Sequence, residues 1–159
     1  MPIVIDGYNL LHSIRKVSED SESIGDVQLC WIVDRYLKLV GDKGQIIFDG
    51  IGPPDKSGFE NIGNLEVLFS GRNKDADTVI EDKVRASTAP KRLTIVSSDR
   101  RLRRAAQARK APAIKSEDFW NNIQKRLRRK KTRKEPAEKR RGLTESETKQ
   151  WLKIFGIEQ

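Results

Sequence analysis

Cysteine, histidine and methionine each occur once in these 159 residues, as Cys30, His12 and Met1. One thiol excludes a disulfide framework and a cysteine-built zinc site. Aromatic residues make up 6% and apolar residues 36%, and no stretch approaches the ~20 apolar residues needed to cross a bilayer. From Met1 the chain reaches the carboxylate of Asp6 before any apolar run of signal-peptide length. A reducing cytoplasm is therefore the expected location, without a membrane partner. No P-loop, no GxGxxG pattern and no internal repeat is present, so nucleotide-cofactor chemistry has no support.

Charge is what the sequence has in excess. Charged residues reach 35%, and the net charge of +9 is unevenly placed. Residues 125–141 hold eleven Lys or Arg and two Glu, so this run carries the whole excess and the rest of the chain is neutral. Such a cationic strap points first to nucleic acid, ahead of an acidic membrane surface; its plain alternative is a solvated linker.

Pro2–Ile5 is a short apolar run suited to a strand buried on both faces. Val27, Cys30, Trp31, Val33, Leu37 and Val40 recur near helical spacing, with Gly41 as a stop; Cys30 and Trp31 are expected in the core. Gln45–Phe48 and Leu65–Phe69 read as strands, separated by a loop holding four Gly and two Pro. Ala76, Val79, Ile80 and Val84 mark a helix face, Leu93–Val96 a fourth strand, Arg100–Arg109 a basic helix, and Ala113–Ile114 an edge strand. Ser116 reads as the cap of a last helix carrying Phe119, Ile123 and Leu127, with Trp120 packed beside Phe119. His12 is placed in a surface loop. Alternating strands and helices predict an α/β fold of three layers around a mainly parallel sheet.

Open parallel sheets bind ligands beyond the carboxyl ends of their strands. Asp6 follows the first strand, Asp49 the second, and Ser97-Ser98-Asp99 the fourth. After the third strand, Asp75 and Asp77 open a helix on which Asp77 and Glu81 share one side. Two such charges ~4 Å apart repel by about 4 kcal/mol at an effective dielectric near 20. A cluster must take up protons, spread apart or bind a cation. Oxygen ligands favour a hard ion, Mg²⁺ or Mn²⁺, which leaves open positions for phosphate oxygens and metal-assisted attack of water on a phosphodiester. Each acid also has a plain structural use. Asp75 and Asp99 can cap helices, Asp49-Gly50 is a common turn pair, and Glu81 can pair with Lys83 or Arg85. Asp6 is the exception, because a carboxylate at the end of a buried strand is costly without a purpose.

The run Asp6-Gly7-Tyr8-Asn9-Leu10 resembles the opening of NYN-domain proteins, in particular the YacP-like branch of PIN-like ribonucleases. Phe48-Asp49, Ala76-Asp77 with Glu81, and Ser98-Asp99 follow in that family's order, over about residues 1–127. The resemblance implies a PIN-like, Rossmann-like fold and a divalent-metal endonuclease acting on RNA. It implies that Asp6, Asp77 and Asp99 hold metal, that Asn9 orients an acid or the scissile phosphate, and that Glu81 is a supporting carboxylate. Asp49, Asp75 and Ser98 are weaker matches. Tyr8 is a candidate for stacking a base, with packing as its alternative.

Arg100, Arg101, Arg103 and Arg104 directly follow Asp99, where guanidinium forks suit phosphate oxygens. Lys125, Arg126, Arg128, Arg129, Lys130 and Lys131 begin the strap and are expected to grip RNA backbone with little sequence choice. Residues 128–142 are thus expected as a basic linker and 143–159 as a short capped helix, Thr144 to Glu147 forming a capping box and Trp151, Leu152 and Phe155 an apolar patch. That helix is expected to dock on its own domain, with a protein or ribosomal partner as the alternative. Three functions are on the table: an RNA endonuclease, a non-catalytic RNA- or ribosome-binding module, and a small-molecule phosphohydrolase. Asp6-Gly7-Tyr8 lacks the second Asp of a DxD phosphotransfer loop, which weakens the third.

Overall fold

The structure is a computed structural model describing residues 2–17 and 24–134, with side chains through Arg129. The expected terminal helix of residues 143–159 and most of the basic linker lie outside the described residues. Five parallel strands form one sheet: β1 (Ile3–Asp6), β2 (Gly44–Phe48), β3 (Leu65–Phe69), β4 (Thr94–Val96) and β5 (Ala113–Ile114), in the order β3-β2-β1-β4-β5. The helices are α1 (Gly7–Val17), α2 (Asp26–Val40), α3 (Ala76–Ala86), α4 (Arg100–Ala108) and α5 (Ser116–Lys134).

Strand alternation explains the layers. Ile3 and Ile5 of β1 face α1, α2 and α5, where they join Ile46, Phe48, Leu10, Ile14, Leu37 and Phe119. Val4 faces the other way and meets Ile47, Ile95, Ile80, Val84, Leu102 and Ala106 beneath α3 and α4. The central strand is apolar from Ile3 to Ile5 because helices cover both of its faces. The expected three-layer PIN-like architecture is found.

Four local readings change. Helix α1 was not expected, and His12 sits on it, exposed, rather than in a loop. Leu10, Leu11 and Ile14 are its buried stripe. The turn from β1 into α1 needs Gly7: a Cβ there would lie 2.5 Å from Cδ1 of Phe48. Trp31 is 42% exposed rather than core, because Leu29, Cys30, Val33 and Leu37 set the buried side of α2 and Trp31 falls opposite. Its indole N–H donates to the Gly58 carbonyl at 3.2 Å and pins the glycine-rich loop. Ser116 is the first residue of α5 rather than its cap, and its hydroxyl serves another helix. Lastly, α5 carries Phe119, Ile123 and Leu127 as expected but continues unbroken to Lys134, so the stretch read as linker begins as helix. Trp120, by contrast, is buried at 1% exposure, as its position beside Phe119 implied.

Candidate active site

The chain steps outward from β1 to β2 and β3, then returns to the other flank of β1 as β4. The switch point lies between β1 and β4, and ligands of such sheets bind in the crevice beyond it. Asp6 ends β1 there, and Ser97-Ser98-Asp99 follows β4.

Asp6 is 7% exposed. Its Oδ2 accepts from the Ser97 hydroxyl at 3.2 Å, and Ser97 Oγ accepts from the Asp99 N–H at 3.1 Å. Burial pushes the Asp6 pKa from 3.8 to about 6, the charge of Asp77 adds to this, and Asp99 adds a smaller push. The Ser97 hydroxyl and the Asn9 N–H work against the rise. Asp77, on the first turn of α3, is raised as well, by burial first and by Asp99 next. Three carboxylates from β1, α3 and the β4–α4 junction therefore feel one another at one place.

The remaining acids divide. Asp75 caps α3, accepting from the Thr78 N–H at 2.7 Å and the Thr78 hydroxyl at 2.6 Å, and these bonds hold its pKa low. Asp99 also caps, taking the Arg101 N–H at 2.7 Å through Oδ1. Asp49 Oδ1 accepts from the Ala76 N–H at 2.9 Å and from the Ser70 hydroxyl at 3.4 Å, which ties the end of β2 to the start of α3. Asp49 and Asp75 thus hold the turn of helix on which Asp77 rides. Glu81 pairs with neither Lys83 nor Arg85. Arg101 reaches across from α4, its Nε donating to Glu81 Oε1 at 2.7 Å and its Nη2 pairing with the same oxygen. The same guanidinium donates to Thr78 Oγ1 at 3.1 Å and lies 3.5 Å from Asp75 and 3.9 Å from Asp77. Of the four arginines after Asp99, this one faces the acids.

Asn9 is fixed by donors that leave no choice of rotamer. The Ser98 N–H and the Ser116 hydroxyl both donate to its Oδ1, at 3.0 and 2.6 Å. A backbone N–H can only donate, so the amide oxygen must face it and the NH₂ is left as donor. Ser98 Oγ in turn accepts from the Ser116 N–H at 3.0 Å and donates to Glu117 Oε1 at 3.0 Å. Ser97 and Ser116, both fully buried, are the site residues that the sequence did not single out. For Ser97 the signal was its place in Ser97-Ser98-Asp99; for Ser116, 107 positions from Asn9, there was none.

A divalent ion fits this donor set by its chemistry. The groups are carboxylate oxygens, partly buried and mutually repelling, which is what a hard cation relieves. Among the described residues no three acidic, histidine or cysteine side chains are drawn close enough together to hold a metal ion as they stand.

The other candidates do not share one place. Tyr8 is 43% exposed and sits edge-on against Phe48, ring centroids 5.0 Å apart. Lys125 and Arg129 are exposed, Arg126 donates to the Leu39 carbonyl at 3.5 Å, and Arg128 to the Gln124 carbonyl at 3.3 Å. Arg126 stands ten residues along α5 from Ser116, about 15 Å away at 1.5 Å per residue. The strap therefore starts at the far end of the domain from the acids. The side chains of Lys130 and Lys131 lie outside the described residues.

Sheet order and flanking helices define a PIN-like domain with acids at its switch point. Within that class, the family of YacP-like NYN domains matches residues 3–155, and the chain belongs to it. Two solved structures of Rae1 (YacP) from Bacillus subtilis share the fold. One superposes with a TM-score of 0.70 at 21% identity, covering 98% of this chain and 92% of that one. A W164L mutant of the same protein gives 0.65 at 17% identity, covering 86% and 84%. No curated protein matches the sequence. Among the described residues no helix is long and apolar enough to cross a membrane.

Proposed function

We propose that this protein is a divalent-metal-dependent RNA endonuclease of the cytoplasm, with Asp6, Asp77 and Asp99 as metal-binding acids. The observation that carries this reading is the convergence of Asp6, Asp77 and Asp99 at the switch point of the sheet, where burial and then Asp77 and Asp99 raise Asp6, and burial and then Asp99 raise Asp77. A Mg²⁺ or Mn²⁺ ion held there would polarise a phosphodiester and lower the pKa of the attacking water, leaving a 5′-phosphate and a 3′-hydroxyl. The chain's own residues set the stage. Ser97 orients Asp6 and shields it from rotation. Asn9, locked by Ser98 and Ser116, presents its amide NH₂ as a donor to a phosphate oxygen. Glu81 acts through Arg101, holding that cation beside Asp77. Tyr8 offers an exposed ring edge to a base, and the strap from Lys125 to Lys131 and onward grips backbone.

The test is purified full-length protein on mixed cellular RNA. Fragments should form with Mn²⁺ or Mg²⁺ and vanish with EDTA. Cleavage that persists in EDTA, or intact RNA under both conditions, overturns the reading. A non-catalytic RNA- or ribosome-binding module is the second reading, favoured by the position of Arg101, whose guanidinium already answers Glu81, Asp75 and Asp77. It predicts retained RNA, or co-sedimentation with ribosomes, without cleavage under either condition. The C-terminal segment, expected from the sequence to form a capped helix, would then serve a protein partner.

Ser116 gives a sharper test of the Asn9 lock. Ser116→Ala should lower stability by about 1 kcal/mol, the usual worth of such a bond, because Asn9 keeps its second donor. Cleavage should fall severalfold more than stability alone explains. In an Asn9→Ala background the Ser116 substitution should change cleavage no further. Additive losses in cleavage rate would show that Ser116 does not act through Asn9.

A further inference from the structure

Helix α4 sorts its cations by side. Leu102 and Ala106 are buried against the sheet, and Arg101 is turned to the acids of α3. Arg100, Arg103, Arg104 and Gln107 recur at i, i+3, i+4 and i+7, which places them in one stripe. With Ala111 and Ala113 this stripe lines a cavity of about 440 Å³ beside the edge strand β5. No carboxylate lines it. Other cations of this flank are answered: Arg85 and Lys74 by Asp82, and Arg109 by the carbonyls of Arg85 and Ser87. Among the described residues none of the three cavity arginines has an ion pair, and Nη1 of Arg103 is buried with no hydrogen-bond partner at all.

A buried N–H without an acceptor, beside two further guanidiniums and no carboxylate, favours as its partner an anion rich in acceptors and poor in donors. Two alanines leave the room, and the guanidinium fork matches two oxygens of a phosphate at once. Arg103 and Arg104 stand four and five residues from Asp99, about 6–8 Å along the helix axis. We propose that this cleft is a phosphate subsite that holds one backbone phosphate of an RNA strand lying across the acids. The choice of RNA as the source of the phosphate rests on the nuclease reading above; the anion chemistry does not.

The experiment reads binding alone. Full-length protein and the Arg103→Gln, Arg104→Gln double variant are titrated with a short RNA in EDTA over a range of salt. Each phosphate neutralised on a single strand contributes about −0.7 to the slope of log K against log salt, so the variant's slope should flatten by ~0.7 and its affinity should fall. A folded variant with an unchanged slope overturns the proposal. Millimolar inorganic phosphate is the second arm. If it raises the melting temperature of wild type but not of the variant while the RNA slope stays the same, the cleft takes free phosphate and the RNA assignment is wrong. Should the double variant fail to fold, Arg100→Gln, Arg104→Gln, both on the exposed side of the stripe, serves the same comparison. Wild-type protein that binds RNA through this cleft but never cleaves it would defeat the nuclease reading and leave the subsite standing.

Discussion

An Asp77→Asn protein should fold normally and cleave RNA more than about a hundredfold more slowly than wild type. The lower bound comes from metal sites in general, where even residues behind the ligands change affinity or activity by 10–100-fold. Asp77 is half-buried on the first turn of α3, and burial first and then Asp99 raise its pKa, so its charge is held in place by the fold against desolvation and repulsion. Asn keeps the shape and loses the charge. The helix turn beneath it survives, because Asp75 still takes the Thr78 N–H and Asp49 the Ala76 N–H. The variant should therefore melt at or slightly above the metal-free wild type, since one source of repulsion toward Asp6 is gone. Asp82→Asn is the control. It lies on the same helix, paired with Lys74 and Arg85 away from the acids, and should leave cleavage within threefold or so of wild type. Wild-type rates in a folded Asp77→Asn protein would remove it from the metal site.

The fold was largely legible because its signals are local. Apolar runs at Ile3–Ile5, Ile46–Phe48 and Ile95–Val96, and the periods of α3 and α5, each lie within one element. Helix α1 was missed because Asp6-Gly7 and Asn9 look like turn chemistry, although Leu10, Leu11 and Ile14 already carried a helical stripe. Trp31 misled because one aromatic residue weighs heavily in a short period, while Leu29 and Ile32 set the true phase. The acids were legible as a set because each follows a strand. What they do individually was not, since a cap and a ligand use the same residue type. Nor does sequence separate Arg101 from its three neighbours. They differ only in the side of α4 on which they fall, and that matters once α3 is packed beside it.

Asp6 should give wild type the opposite stability profile to that of an ordinary salt-bridged acid, and the Asp6→Asn variant should lack it. The Asp6 pKa rises from 3.8 to about 6 on folding, first because burial penalises the carboxylate and next because Asp77 is near. Between those values the folded protein keeps a proton that the unfolded chain has released. Stability therefore falls as pH rises through this window, and the loss is complete above pH ~6. Its size is about 3 kcal/mol, at 1.36 kcal/mol for each pH step between the two values. Asn carries no charge and escapes it. In EDTA the two proteins should melt together near pH 4, where Asp6 is protonated when folded. By pH 8 the variant should be the more stable by up to ~3 kcal/mol, or about 10 °C for a domain of this size. Metal should close most of that gap. A ligand that binds only the folded state stabilises it by about 2.7 kcal/mol at a hundred times its Kd, so millimolar Mn²⁺ at pH 8 should lift wild type and leave the variant nearly unmoved. Two melting series, with and without Mn²⁺, decide the matter. Parallel curves in EDTA would mean that the buried carboxylate is already relieved by Ser97 and Asn9, and equal Mn²⁺ shifts would place the cation elsewhere.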